Sequence, residues 1–519
     1  MRKSLCLAAV LSLVWLGVGA RAFAQSRDDE KKQPEAKAAP AEEVHPAKEE
    51  SSVTDHTIRL GGQTIPYKAT AGTILLKNEK GEPIGLMYSV AYTRSDVKDA
   101  SQRPISFLYN GGPGSATMWL HMGAFGPKRV ATLDAQFTPP APYKLVDNTE
   151  CLLDKTDLVF IDAMGTGYSH IVGKGQDKDF YGIDEDVKAF GQFINTYVNR
   201  NGRWNSPKFL IGESYGTFRS AALGNYLESH YSMQLNGIVL ISSVLDLSTL
   251  TFGPGDDRCF VFYLPSYAAV AWYHKVLKNR PTDLPAFIEE ARQYAQGEYA
   301  SALAKGSRLT PEEKAAVAKK VSYFTGLSED YLLKADLRVN LAQFNVELQR
   351  SRGLTTGRID ARFSGFTPDL LAEYAADDPE GPAVGGAFTA MVNAYTHDEL
   401  NFGKDKTYHN FSDGARQWNW KRSDRGRFFP GSPNVEPDLA AVMISNPHLL
   451  VQVENGYFDM ATPFFATEYT MEHLGLPREL QSHITEDYYD AGHMMYLHED
   501  SRTHLHSNVS SFIDRATKP

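Results

Sequence analysis

Cysteine is scarce in this chain: only three of its 519 residues are Cys. Cys6 lies in the apolar N-terminal stretch, so Cys151 and Cys259 are the two left for the folded protein. In an exported protein these two could pair in a disulfide, and two free buried thiols are the alternative; the sequence leaves both open. A fold held together by many disulfides is excluded, so stability must come mainly from the core.

Positive charge is also in short supply. Lys and Arg number 53 against 63 Asp and Glu, which gives a formal net charge of −10. If residues 1–24 are removed, three basic residues and no acid leave with them, and the charge becomes −13. An acidic surface argues against nucleic acid as a partner. With 42% hydrophobic and 22% charged residues the composition is that of a globular protein, which excludes disorder of the whole chain.

No apolar run that resembles a membrane span occurs after the N-terminus. The apolar run over residues 4–20 follows Arg2 and Lys3 and precedes Ala22-Phe23-Ala24, a small-x-small pattern typical of signal-peptide cleavage. An uncleaved membrane anchor is the alternative, but the run is short for one. We therefore expect residues 1–24 to be a secretory signal peptide. The mature protein would be exported, to the periplasm or the medium, without stable membrane insertion.

Motifs for metals and cofactors are missing as well. The sequence has no H-E-x-x-H pattern, no paired cysteine ligands and no glycine-rich loop for phosphate or dinucleotide. His397-Asp398-Glu399 is one isolated cluster, for which a solvated loop is the better interpretation. We expect neither a metal nor a cofactor.

Composition divides the rest of the chain into four segments. Residues 25–54 are charged, rich in Ala and Pro and nearly free of large apolar side chains, which predicts a disordered linker. Residues 55–250 and 436–519 are predicted to form the two parts of one α/β core. Residues 251–435 break the strand–helix alternation and are predicted to be a mainly helical insertion, placed as a cap over the carboxyl edge of the sheet.

The core pattern predicts a mixed, mostly parallel sheet flanked by helices. Between residues 56 and 93, short segments rich in β-branched and aromatic residues and separated by Gly-rich turns predict antiparallel strands. Near-continuous apolar runs then predict parallel strands buried on both faces, over residues 105–109, 158–162, 208–212, 237–242 and 448–454. Helical patterns over residues 184–198 and 218–230 alternate with them, which indicates an α/β fold.

The run at 208–212 leads directly into Gly212-Glu213-Ser214-Tyr215-Gly216. This is G-x-S-x-G between a predicted strand and a predicted helix, the context of a nucleophile elbow. The sharp turn leaves no room for side chains at the flanking positions, which explains the two glycines. It exposes the serine hydroxyl above a helix N-terminus, whose N–H groups can stabilise an oxyanion. A chance match is the alternative, and the strand and helix around it argue against chance.

A serine nucleophile needs a base, and the base needs an acid to orient it. His493, in D-Y-Y-D-A-G-H-M-M after a strand-like segment, is the predicted base. Asp459 follows the apolar run at 448–454 and is the predicted acid; Asp246, just beyond the run at 237–242, is its competitor. The order Ser, acid, His is the one found on α/β-hydrolase sheets.

A second glycine-rich loop, Asn110-Gly111-Gly112-Pro113-Gly114, follows the strand predicted at 105–109. Its backbone can approach a substrate closely and supply the second oxyanion N–H. A plain Gly-Pro turn is the alternative.

Taken together, N-G-G-P-G, G-E-S-Y-G, N-G-Y-F-D-M-A-T-P and A-G-H-M-M resemble the serine carboxypeptidase family, in that family's order, over residues 105 to about 500. I-D-A-M-G-T-G-Y-S at 161–169 is also similar. The resemblance implies an α/β-hydrolase fold with a helical insertion. It implies Ser214 as nucleophile, His493 as general base and acid, and Asp459 as the residue that orients His493. It assigns the oxyanion hole to the backbone N–H groups of Gly112 and Tyr215.

The resemblance also gives Glu213 a role. In the family, the residue before the serine and the Asn of N-G-G-P-G hold the free C-terminal carboxylate of a peptide; here these are Glu213 and Asn110. A carboxyl group beside a carboxylate requires a shared proton. The family usually adds a second glutamate, but the corresponding residue here is Ala124, which puts strict carboxypeptidase specificity in doubt. His121 could offer a positive charge in its place.

The leading interpretation is a serine-type carboxypeptidase that cleaves peptide or protein substrates with a free C-terminus through an acyl-enzyme on Ser214. An esterase or acyltransferase with the same Ser-Asp-His triad is the alternative, since Ala124 removes one peptide-end selector. A non-catalytic binding protein on a hydrolase scaffold is the third interpretation, against which the complete set of Ser, Asp and His argues.

Overall fold

The computed structural model describes residues 47–422 and 431–518. Strands β1 to β14 span, in order, Ser51–Leu60, Gln63–Lys77, Pro83–Arg94, Ile105–Tyr109, Lys128–Val130, Leu145–Asp147, Asp157–Ile161, His170–Ile171, Lys208–Glu213, Gly237–Ile241, Leu354–Thr356, Ser364–Phe366, Leu450–Gly456 and Ile484–Tyr489. Helices α1 to α13 span, in order, Ile183–Arg200, Tyr215–Tyr231, Arg258–Tyr273, Leu284–Tyr294, Ala300–Lys305, Pro311–Thr325, Glu329–Lys334, Leu341–Glu347, Glu380–Ala394, Glu436–Ser445, Phe464–Glu472, Arg478–Gln481 and Glu499–Ala516.

One large mixed sheet organises the described residues. Its strands lie in the order β1-β2-β3-β7-β4-β9-β10-β13-β14, and β8 pairs with β3. The first four strands in this order, β1, β2, β3 and β7, pair antiparallel with one another. The strands from β7 onward, which are β4, β9, β10, β13 and β14, pair parallel. The predicted fold class, a mostly parallel sheet with antiparallel N-terminal strands, is confirmed.

The central strands are apolar because helices cover both faces of the sheet. Every residue of β4, β9 and β10 is buried. Along β9, Leu210 packs into a core that includes Phe190 of α1, while Phe209 and Ile211 belong to a separate core that includes Phe512 of α13. The alternation of side chains along a strand divides one apolar run between two cores.

The N-terminal strands differ from the sequence prediction in two respects. The segments 64–69 and 72–77, predicted as separate strands, form the single strand β2, which passes through Gly72 without a turn. A Cβ at Gly72 would lie 2.7 Å from the carbonyl oxygen of Glu50, so the glycine permits a close backbone approach. The linker predicted to end at residue 54 ends earlier, because β1 begins at Ser51 and pairs with β2. Composition missed this because backbone pairing, rather than side-chain burial, orders the start of β1.

The predicted signal peptide at 1–24 and most of the predicted linker at 25–54 lie outside the described residues. Within the described ranges, no helix is long and apolar enough to cross a bilayer.

Between β10 and β13 the chain leaves the sheet. Helices α3 to α9 and the two-stranded pair β11–β12 form an inserted region there, before α10 leads back to β13, and many of their apolar side chains form a third core. That core also takes in Phe458 and Phe464, which flank the loop after β13. The inserted region therefore packs directly on a loop at the carboxyl edge of the sheet.

Candidate active site

Ser214 occupies a sharp turn between β9 and α2. Its backbone has φ 60° and ψ −131°, an uncommon conformation for a residue with a side chain, of the kind that collects at functional sites. A Cβ at Gly212 would lie 2.3 Å from the carbonyl oxygen of Gly216, and a Cβ at Gly216 would lie 2.9 Å from that of Tyr109. Both glycines are therefore required by the turn, as the sequence motif predicted.

Asp459 and His493 are in direct contact. The Nδ1 atom of His493 lies 2.7 Å from Oδ2 of Asp459, which is 1% exposed. The Asp459 carboxylate also accepts hydrogen bonds from the Ala461 and Thr462 N–H groups, at 2.8 and 2.9 Å, and from the Thr462 hydroxyl at 2.8 Å. These donors fix the carboxylate, which in turn fixes the imidazole with its Nδ1 proton toward the acid.

Asp246, the competing acid, has a different role in the structure. It is the N-cap of the short 3₁₀ helix Leu247–Leu250 and accepts from the Ser248 N–H and hydroxyl, at 2.8 and 2.7 Å. Its side chain is thereby committed to a turn rather than to His493.

The carboxyl end of β10 holds both the serine turn and the histidine loop. The Ser214 N–H donates to the carbonyl of Ile241 at 3.0 Å, and the hydroxyl of the next residue, Ser242, donates to the carbonyl of His493 at 2.7 Å. On its other side, the His493 N–H donates to the carbonyl of Ile359 at 2.8 Å. Among the described residues the side-chain hydrogen bonds of His493 are made by Nδ1; Nε2 makes none, to the Ser214 hydroxyl or to any other group.

The environment of His493 favours its charged form. Burial opposes charging of the imidazole, but the charge and hydrogen bond of Asp459 and the charge of Glu213 outweigh burial, so the pKa of His493 is raised above 6.5. The positive charge of Arg358 acts in the opposite direction. A base stabilised in its protonated form is suited to hold the proton of a serine during attack.

The glycine-rich loop after β4 lies against the start of α2. A Cβ at Gly111 would lie 2.4 Å from the Tyr215 nitrogen, so only glycine fits. Gly112 has φ +108°, in the region that favours glycine. The N–H groups of Gly112 and Tyr215 make no hydrogen bond within the described parts of the chain. Two free N–H groups beside a nucleophile are what an oxyanion hole requires.

Asn110 and Glu213 form a buried pair. The Asn110 side-chain amide donates to Oε1 of Glu213 at 2.7 Å, and its own oxygen accepts from the Leu120 N–H at 3.0 Å. Burial raises the pKa of Glu213 to about 7. The charge of His493 and the hydrogen-bonding groups of Tyr496 and Asn110 act in the opposite direction but are outweighed. Beneath the pair, Arg219 donates to the Asn110 carbonyl at 2.9 Å. The other Glu213 oxygen, Oε2, is buried and makes no hydrogen bond of normal geometry.

The suggested role of His121 is wrong. The side chain is buried, stacks on Phe160 and shares a 2.6 Å hydrogen bond with the Tyr92 hydroxyl. Burial lowers its pKa to about 3, so it is neutral and offers no positive charge to a carboxylate. Ala124 is buried in the same π-helical turn, Leu120–Phe125, and brings no acid to the site.

The possible disulfide is also not formed. Cys151 and Cys259 are both free and buried. Cys151 belongs to the core on one face of the sheet, whereas Cys259 begins α3 and directs its thiol to the carbonyls of Ser248 and Thr251, at 3.3 and 3.1 Å. Of the two alternatives left open by the sequence, the structure has the free thiols.

One protein-family model matches part of the chain. The model of the serine carboxypeptidase family matches residues 63–284, which contain the loop at Asn110 and the turn at Ser214. These residues are therefore similar in sequence to serine carboxypeptidases. The predicted resemblance, and the prediction of an enzyme of the serine carboxypeptidase class, are thereby confirmed. Asp459 and His493 lie outside the matched residues, and the match assigns no residue a role, so the roles of all the site residues, Ser214 included, stay predictions.

One of two similar solved structures shares the fold of this chain. Kex1(delta)p, a prohormone-processing carboxypeptidase from Saccharomyces cerevisiae, is 17% identical with a TM-score of 0.54, over 85% of this chain and 92% of that one. A proline iminopeptidase from Mycobacterium smegmatis is 12% identical with a TM-score of 0.37, over 86% of this chain and 98% of that one. No curated protein sequence matches the chain.

Two features of this candidate site were not predicted. One is the bond from His493 to Ile359, which lies in the inserted region. The other is a buried group of polar side chains around Glu213, to which Tyr496 and Glu380 contribute. Tyr496 follows closely after A-G-H-M-M, but no motif marks it, and Glu380 lies in the segment where the resemblance extends only to helical character.

Proposed function

We propose that this protein hydrolyses peptides at their C-terminus through an acyl-enzyme on Ser214. The observation that carries the proposal is the position of Glu213: it directly precedes the nucleophile, is buried with Asn110, and has one carboxyl oxygen that makes no hydrogen bond of normal geometry, with the Tyr496 hydroxyl beside the carboxyl group. An acid of this kind is suited to hold a carboxyl group of the substrate next to the scissile bond.

In the proposed mechanism the Ser214 hydroxyl attacks the carbonyl of the last peptide bond, and Nε2 of His493 takes its proton. Asp459 keeps the imidazole oriented through Nδ1. The oxyanion that forms on the carbonyl accepts from the N–H groups of Gly112 and Tyr215. His493 then gives the proton to the leaving amine, which departs as the last residue, and water releases the acyl group by the same steps.

Carboxylate recognition is proposed to depend on the proton of Glu213. Two ionised carboxylates cannot lie side by side without repulsion, so Glu213 must be protonated when the substrate carboxylate binds. Since the pKa of Glu213 is raised to about 7, the acid is protonated below that pH and ionised above it. We therefore propose that the KM for free-acid peptides rises as the pH passes through about 7.

The test uses residues 25–519, with Ser214→Ala as the inactive control. N-blocked dipeptides are incubated across a range of pH, each free acid beside its C-terminal amide, and release of the last residue is read by mass spectrometry. We expect cleavage of the free acids by the unsubstituted protein alone. Equal cleavage of acids and amides, or activity of Ser214→Ala, would contradict the proposal.

The alternative activity is that of an esterase or acyltransferase, and Ala124 supports it, since it leaves the family's usual second acid absent from that position. The two activities differ in the leaving group, so kcat/KM for matched esters and peptides separates them. Labelling of Ser214 by a fluorophosphonate probe distinguishes both from a non-catalytic binding protein.

We further propose that residues 1–24 direct export and that residues 251–435 cap the site. The first rests on the sequence pattern and the second on the packing of the inserted region against the loop after β13. N-terminal sequencing of protein recovered from the exported fraction tests the first; a mature chain that begins at Gln25 supports it, and a chain that retains residues 1–24 contradicts it.

A further inference from the structure

Glu380 is a buried acid without a hydrogen-bond partner. It begins α9 in the inserted region, is 1% exposed, and neither of its carboxyl oxygens has a partner. Nearly all buried polar groups in proteins are paired, so a carboxyl group with two unpaired oxygens calls for an explanation. A ligand that supplies the missing partners is one such explanation.

Glu380 lies in the same electrostatic environment as the Asn110–Glu213 pair. The charge of Glu213 acts on Glu380, and the charges of both acids act on Tyr496. The Tyr496 hydroxyl lies beside Glu213 and Asn110 but makes no hydrogen bond of normal geometry.

Asp378, two residues before Glu380, accepts hydrogen bonds from the Arg358 and Ile359 N–H groups at 2.9 and 3.0 Å, and the Ile359 carbonyl accepts from the His493 N–H at 2.8 Å. The start of α9 is thus tied to the loop that carries His493.

Helix α9 packs against the segment that precedes Ala124. Phe388 of α9 lies with its ring 4.9 Å from that of Trp119 and also contacts Gly123, which in turn contacts the Tyr496 ring. Gly123 is the neighbour of Ala124, where the family's second acid is missing. The inserted helix therefore packs against the segment that has lost the acid.

Four buried oxygen atoms in this group make no hydrogen bond of normal geometry: Oε2 of Glu213, the Tyr496 hydroxyl beside the Glu213 carboxyl group, and both oxygens of Glu380. A carboxylate has two oxygens that each accept hydrogen bonds, and protonated acids and phenols can donate them. We propose that Glu380 supplies the second acid that holds the C-terminal carboxylate of the substrate, in place of the acid missing at Ala124; this inference rests on the carboxypeptidase function proposed above.

The charges around Glu380 are consistent with a protonated acid. Burial raises its pKa well above 4.5, and the charges of Asp360, Asp378 and Glu213 raise it further, whereas Arg362 lowers it. Arg362 is mainly committed to Asp360, to which it donates at 2.6 Å. A protonated Glu380 donates one hydrogen bond to a substrate carboxylate and returns to its unpaired state when the product leaves.

The test measures binding rather than turnover. In the Ser214→Ala background, calorimetry at pH 5.5 compares an N-blocked dipeptide free acid with its amide. Glu380→Met, which has similar length and no donor, is expected to weaken binding of the free acid by roughly 10- to 100-fold, the effect of one hydrogen bond to a charged group. Glu380→Gln, whose amide still donates and does not titrate, is expected to keep most of the affinity and to lose less of it as the pH rises.

The matched control is Glu486→Met, on β14. Burial raises the pKa of Glu486 to about 7, but its partner is Asn455 rather than any member of the group around Glu213. This variant is expected to bind free acid and amide as the Ser214→Ala protein does. Equal affinity of Glu380→Met and its parent for the free acid would overturn the inference, and so would equal loss in the Met and Gln variants.

A stability measurement tests whether misfolding, rather than the lost hydrogen bond, weakens binding in Glu380→Met. An unpaired buried carboxyl group destabilises the ligand-free protein, so Glu380→Met is expected to melt at a higher temperature than its parent. Weaker binding with a lower melting temperature would mean that Glu380 is structural, which overturns the inference. Binding and cleavage are measured separately, so the two proposals can fail separately. Peptides that bind through Glu380 but are not cleaved by the unsubstituted protein would refute the proposed function and still support the role of Glu380 in binding.

Discussion

Replacement of Glu213 by Gln tests the burial argument without any assumption about substrate. The folded protein holds the pKa of Glu213 at about 7, against an ordinary value of 4.5, mainly through burial. The folded state therefore binds more protons than the unfolded state between these two values. The stability that this group contributes is fully present below about pH 4.5 and is lost as the pH rises through about 7.

The magnitude follows from the difference between the two pKa values. A difference from 4.5 to about 7 corresponds to about 3 kcal/mol in the free energy of unfolding. Gln has the shape of the protonated acid and does not titrate. Glu213→Gln should therefore match the unsubstituted protein near pH 4.5 and exceed its free energy of unfolding by about 3 kcal/mol near pH 8.

Urea unfolding of residues 25–519 at several pH values measures this difference. Glu79→Gln is the matched control: Glu79 is exposed in the turn between β2 and β3, and its substitution should leave the pH profile unchanged. If the stability gap between Glu213→Gln and the unsubstituted protein is the same at pH 4.5 and pH 8, Glu213 does not titrate as its burial requires, and the proposed proton-dependent recognition fails with it.

Three further predictions concern other groups. Asp459→Asn should lower kcat by about 10⁴-fold with little change in KM, because the wrong imidazole tautomer is then held; steady-state kinetics on a cleaved peptide checks this. Arg358→Ala removes a positive charge that lowers the pKa of His493, so the acidic limb of the kcat/KM profile should move to higher pH, and a shift to lower pH would contradict the assignment. Thiol titration of the denatured chain should find both Cys151 and Cys259 reduced, with no change in melting temperature on adding dithiothreitol; one disulfide detected by mass spectrometry would refute this.

The parts of the fold that the sequence predicted well are those set by local rules. Strands β4, β9 and β10 are continuous apolar runs because both of their faces are covered, and the observed bounds differ from the predicted ones by one residue or less. The turn at Ser214 needs glycine at two fixed positions, and its contacts are made within the motif or with the neighbouring strand β4. Each signal lies within a few residues of the structure that it specifies.

The parts that sequence reasoning missed depend on long-range packing. His121 is buried because it stacks on Phe160 of β7, and the sequence around His121 does not predict this contact. The unpaired Glu380 looks like an ordinary first-turn helix acid until α9 is seen to pack beside Gly123. Acids are common in the first turns of helices, where they are usually solvated. Only burial distinguishes Glu380 from such acids.

The backbone of the inserted region joins the two loops that carry Asp459 and His493. The Met460 N–H donates to the carbonyl of Arg358 at 3.1 Å, the Ala361 N–H to the carbonyl of Phe458 at 3.0 Å, and the His493 N–H to the carbonyl of Ile359 at 2.8 Å. One short stretch, residues 358–361, thus pairs with both loops at the edge of the sheet. The same region supplies Glu380, on which the charge of Glu213 acts. Changes to this region would therefore act on the orientation of His493 and on carboxylate binding together, whereas the serine turn, held by β9, β10 and the loop after β4, would keep its geometry.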